Sequence, residues 1–141
     1  SGSGNVEETD KEDRWTDPDD DRYDVKLDKS EINALLQAIH DGSEYATQAG
    51  IPVLAADENG TALLCNVDFQ WNSFVNVDLP NGAVFDGKYR YFKNVSGSSV
   101  FKKLNGRVSN LGIAGGEITD RKGNTDVGIL ATESSVSSVM T

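Results

Sequence analysis

From Glu31 the chain reads as a helix: Ile32, Leu35, Leu36 and Ile39 recur at i, i+3, i+4 and i+7, which gathers aliphatic side chains on one face. Ser30 or Asp28 can cap it, and Asp28-Lys-Ser-Glu31 has the spacing of a capping box, where the two carboxylates take up free N–H groups of the first turn. Gly42 supplies the stop, since the residue that ends a helix favours the left-handed region. After it the hydrophobic period shortens to alternation. Ile51 to Ala56 and Ala62 to Phe69 read as strands joined across Asn59-Gly60, which tolerates positive φ and predicts a tight hairpin. Phe74 to Leu79 is a further strand, closed by Pro80-Asn81-Gly82.

The stretch Phe85 to Thr141 contains three similar pieces, VFDGKYRYFKNV, VFKKLNGRVSNLGIAGGEIT and VGILATESSVSSVMT. Each sets short apolar alternations beside Gly, Asn or Ser, so a strand is followed by a corner and another strand. Val100 and Val127 open equivalent pieces; Val108 and Val136 begin their closing segments. Gly87, Gly106, Gly112, Gly115, Gly116, Gly123 and Gly128 fall where corners require positive φ or close stacking. Asn94, Asn110 and Ser137 occupy like places, where side chains can bond the backbone of a neighbouring turn and form a ladder. The expected fold is mainly β: a right-handed parallel β-solenoid fragment with a short N-terminal capping helix. A helix across the first turn would seal its open edge, though the same face would also suit a partner.

FDGKYRYFKNV resembles the segment that opens many GLUG-type repeats of bacterial surface proteins, and VFKKLNGRVSNLGIAGGEIT resembles the turn that follows it. GILA, from Gly128 to Ala131, stands where those repeats carry Gly-Leu-hydrophobic-Gly, with Ala131 in place of the last glycine. EINALLQAIHDG and IPVLAADENGTALLCNVDF resemble the helix and strand that precede such repeats, including those of IgA-protease-like metallopeptidases. The resemblance covers Glu31 to Thr141. It implies a non-catalytic module of a secreted or cell-surface protein, of adhesin or stalk type. Its alternative implication is an accessory domain of a secreted protease or polysaccharide-degrading enzyme.

Charge changes the picture at the N-terminus. The net charge is −10, from 13 basic and 23 acidic residues, and many of the acids lie between Glu7 and Asp28. Such a segment has little apolar area to offset its ordering entropy, so residues 1–29 read as a largely disordered leader and 30–141 as the domain. A sharper reading is calcium. Asp17, Asp19 and Asp21 alternate as hard oxygen ligands would, and Asp28 falls where a loop of about twelve residues would close. Arg22 occupies the position where that loop requires Gly, so these carboxylates suggest a looser Ca2+ site; no other cofactor is implied. The acidity excludes a nucleic-acid partner, which needs a basic stripe. No apolar run of about 18 residues is present, so no membrane insertion is expected. SGSG reads as a linker scar, and the whole as a piece of a larger exported protein located extracellularly or at the cell surface. An intracellular protein is the alternative. The strand-like C-terminal sequence predicts an edge open to self-association.

Trp71, Tyr89 and Tyr91 are the candidate ligand-binding residues, because aromatic rings stack on sugars and Asp86, Lys88 and Arg90 could bond hydroxyl groups. A glycan or a cell-surface protein is the matching partner; cross-strand packing is the competing role for the two tyrosines. Cys65, the single cysteine, reads as a small buried apolar residue rather than a nucleophile paired with His40. Asp86, Asp120 and Asp126 are the acids nearest the repeats, and turn chemistry accounts for them. No catalytic motif of the HExxH, GxSxG or P-loop kind occurs, so the chain reads as no enzyme.

Overall fold

The computed structural model describes residues 15–96 and 99–114, and the backbone of residues 131–134. Among the described residues one helix, α1 (Lys29–Asp41), follows strand β1 (Val25–Lys26). Then come β2 (Tyr45–Ala46), β3 (Pro52–Asp57), β4 (Gly60–Leu63), β5 (Val67–Asp68), β6 (Val77–Leu79), β7 (Val84–Lys93), β8 (Phe101–Leu104), β9 (Arg107–Ala114) and β10 (Ala131–Ser134).

The helix forms as its sequence predicts. Asp28 Oδ1 accepts from the Glu31 N–H at 2.8 Å while the Asp28 N–H donates to Glu31 Oε1, and Gly42 ends the helix at φ 74°. Ile32, Leu35, Leu36, Ala38 and Ile39 form its buried face. The predicted hairpin is also present: β3 and β4 pair antiparallel, with Asp57 opposite Gly60.

Two sheets enclose the core. The larger has seven strands, in the order β1-β5-β7-β4-β3-β2 with β9 also on β7; the smaller is β10-β8-β6. The larger sheet is mixed, so the parallel pairing expected of a solenoid holds for part of it and stops at the predicted hairpin. Its β2-β3-β4 region is antiparallel because the Asp57–Gly60 turn reverses the chain at once, whereas every other pairing is parallel. Thr61, Phe85 and Val108 stand in one column, so the chain returns after 24 and then 23 residues. Val67, Phe92 and Ile113 form a second column, and Val77, Phe101 and Ala131 a third.

Phe101 lies opposite Ala131 in the smaller sheet, and Val127, expected to match Val100, lies outside the described residues. Gly115, Gly116, Asp120, Gly123, Asp126, Gly128, Val136, Ser137 and the C-terminal edge also lie outside the described residues.

Corners in the larger sheet are built by one device used twice. Asp68 Oδ1 accepts from the Gln70 N–H at 2.8 Å and from Asn94 Nδ2 at 2.9 Å. Asp86 Oδ1 accepts from the Lys88 N–H at 2.8 Å and from Asn110 Nδ2 at 3.2 Å. Each aspartate turns its own backbone through two left-handed residues, Gln70-Trp71 or Lys88-Tyr89, and grips the left-handed asparagine of the next pass of chain. The ladder expected of Asn94 and Asn110 is therefore made of Asp–Asn pairs at two separate corners. Gly87 is required at the second of them: a Cβ there would lie 2.6 Å from the Asn110 carbonyl oxygen and from Leu111 Cα.

Phe69, Phe85 and Phe92 meet in the core, with Phe92 5.0 Å from Phe69 and 5.8 Å from Phe85 between ring centroids. Leu79, Phe101 and Leu104 of the smaller sheet close the opposite side. The apolar face of α1 packs on β6, an edge of the smaller sheet, and on β2 and β3 of the larger.

Part of the segment expected to be leader belongs to this body. Val25 and Lys26 pair with Val67 and Asp68, and Leu27 is fully buried in the core. From Trp15 onward the chain lies as a strap over the outer face of β7: the Thr16 N–H donates to the Tyr89 carbonyl at 3.1 Å, and Trp15 packs on Tyr89 and Tyr91. Residues 1–14 lie outside the described ones.

Candidate functional site

The strap and the sheet beneath it bring aromatic, acidic, basic and thiol side chains together. Trp15 meets the Tyr89 ring edge to face at 5.4 Å and the Tyr91 ring at 5.5 Å. Tyr91 is consequently 0% exposed, which removes it as a surface ligand contact. Its neighbour Phe92 points to the core, so Tyr91 is buried from the other side, by the strap. Asn66, beneath the same segment, accepts from Thr16 Oγ1 and from the Tyr91 N–H through its one Oδ1.

Beside the strap, Thr16, Asp17, Asp20, Tyr23, Leu64, Cys65, Asn66 and Arg90 line a cleft of about 280 Å³. Arg22 grips Asp20 with Nε at 3.0 Å and Nη2 at 2.9 Å, and this pairing holds the Asp20 carboxyl down at about 2. Arg90 donates to the Leu63 carbonyl, which fixes the guanidinium at the cleft. Burial pushes the Cys65 thiol up to about 11, opposed by the Arg90 charge and reinforced by Asp24. A thiol held protonated in this way is a poor nucleophile. His40 is elsewhere, its Nδ1–H donating to the Asp78 carbonyl at 2.6 Å.

The three candidate calcium ligands do not converge. Asp17 Oδ1 accepts from the Asp19 N–H at 2.9 Å, an Asx turn that directs the carboxylate to its own backbone. Among the described residues no group of three His, Cys, Asp or Glu side chains is arranged to hold a metal.

Trp71 has the opposite fate to Tyr91. It is 55% exposed, on a rigid corner where its N–H donates to the Asn94 carbonyl at 2.9 Å. Gln70 and Asn72 on either side both donate to the Leu27 carbonyl, so the ring is carried on a bonded frame. Trp71 and Tyr89 flank opposite ends of the segment Arg90–Lys93 rather than forming one platform. Asp86 and Lys88 line a different, shallow cleft of about 280 Å³ with Asp57, Asn59 and the alanines of β3 and β4.

Trp15 is the residue that sequence reasoning missed. A large aromatic inside an otherwise acidic run was the available signal, since such a side chain has little reason to be there unless it is covered. Among the described residues no helix is long and apolar enough to cross a membrane. No protein-family model, curated protein or solved structure matches the chain.

Proposed function

We propose that this chain is a non-catalytic module of a secreted or cell-surface bacterial protein, of adhesin or stalk type. In this reading it is a right-handed parallel β-solenoid of the GLUG-repeat kind, with α1 across its first turn. The observation that supports the reading most directly is the register: three columns of parallel pairs, with Asp–Asn corners recurring between successive passes of chain. Stacked passes of this kind extend by repetition, which suits a spacer or a display surface better than an enclosed reaction site.

The ligand is a glycan, contacted by Trp71. An exposed indole on a pre-ordered corner loses little entropy when a sugar ring stacks on it. The test is binding of the purified chain to a broad glycan array, followed by the same array with Trp71→Ala. Selective binding that disappears in the variant is the expected result. A blank array would confine the module to a stalk role, and turnover of any bound polysaccharide would overturn the non-catalytic reading.

A further inference from the structure

Lys93 and Asp24 meet where the strap crosses the end of β7. Lys93 Nζ lies 2.6 Å from Asp24 Oδ2, across 69 residues of sequence, and the two side chains are 8% and 1% exposed. Asp24 is poorly served as an ion. Asp24 Oδ1 is buried and has no hydrogen-bond partner among the described residues, and the contact with Asp24 is the one hydrogen bond that the Lys93 ammonium makes there. A buried ion pair persists comfortably when its remaining lone pairs are satisfied, and here Asp24 Oδ1 is not.

We propose that Lys93 and Asp24 condense into an intramolecular amide, a covalent staple between the strap and the sheet. Both backbones are held for it. The Val25 N–H donates to the Asn66 carbonyl directly after Asp24, and the Lys93 carbonyl accepts from the Phe69 N–H at 2.8 Å. Two reactants pinned in this way face each other at an effective concentration far above any in solution. Transfer of one ammonium proton to the carboxylate gives an amine and a carboxylic acid. The amine nitrogen then forms a bond to Asp24 Cγ, a second proton passes from nitrogen to the departing hydroxyl, and the Cγ–O bond breaks to release water. The ammonium and carboxylate together thus become one amide and one water molecule, with no oxidant or co-reactant. Both charges vanish, and the unpartnered oxygen becomes an amide carbonyl, which is cheaper to bury than a carboxylate.

The test is the mass of the intact, denatured chain after incubation in neutral buffer, followed by tryptic mapping. The expected result is a chain lighter by one water, no cleavage after Lys93, and the peptide Tyr23–Lys26 joined to Tyr91–Lys102. Lys93→Arg, whose guanidinium does not condense with a carboxylate, should return the full sequence mass. Asp-Gly sequences also lose water by succinimide formation, and Asp41-Gly42 and Asp86-Gly87 are such sites. A wild-type chain at full sequence mass, or a water loss that maps to either of those pairs, overturns the proposal.

Discussion

At the scale of single residues, Cys65 and Gly87 show how the surroundings decide what a side chain does. Burial pushes the Cys65 thiol up to about 11, so its reaction with a disulfide reagent at pH 8 should run roughly 10-fold slower in the folded chain than in urea, the scarcer thiolate being partly offset by its greater basicity. Equal rates in the two states would count against the half-buried placement. Gly87 is needed for space. Gly87→Ala would drive a methyl group into the backbone of β9 at 2.6 Å, at a cost of about 1–3 kcal/mol in urea unfolding.

At the scale of elements, local signals carried through to structure wherever both partners of an interaction lie close in sequence. The capping box of α1 is one such case, with Asp28 and Glu31 a turn apart. Hydrogen bonds from the Glu31 N–H and Ser30 hold the Asp28 carboxyl below its ordinary value of 3.8, so the folded state binds that proton more weakly than the unfolded state. The stabilisation is therefore full above that value and is lost as the pH falls through the lowered one. Asp28→Asn, which caps without titrating, should keep its neutral-pH stability and lose this part of the acid dependence, as thermal melts between pH 2 and pH 5 would show. The Asp–Asn corners are the opposite case, because Asp68 and Asn94 belong to different passes of chain. Asp68→Ala strands two donors at once and should cost about 1–3 kcal/mol, whereas a change within a few tenths would show that water replaces the carboxylate there.

At the scale of the whole molecule, the strap is the feature that joins the acidic N-terminal segment to the sheet. Trp15→Ala uncovers Tyr89 and Tyr91, and a loss of roughly 1–3 kcal/mol is expected from the apolar area returned to water. Amide exchange at Tyr91 should accelerate while α1 stays protected; uniform acceleration would mean that the strap is integral to global folding. Read alone, the residues determined α1 with both of its caps, the β3–β4 hairpin and the mainly β character, because turn chemistry and short periodicity act between neighbours. They also placed Trp71, Tyr89 and Tyr91 together as candidates, without distinguishing the exposed Trp71 ring from the half-buried Tyr89 and the sealed Tyr91. Only the tertiary structure decided that β1 enters the sheet, that Tyr91 is sealed by Trp15, that Lys93 faces Asp24, and where each pass of chain comes into register. Those contacts join segments far apart in sequence, and connection lengths, not local pattern, set which strand lies beside which.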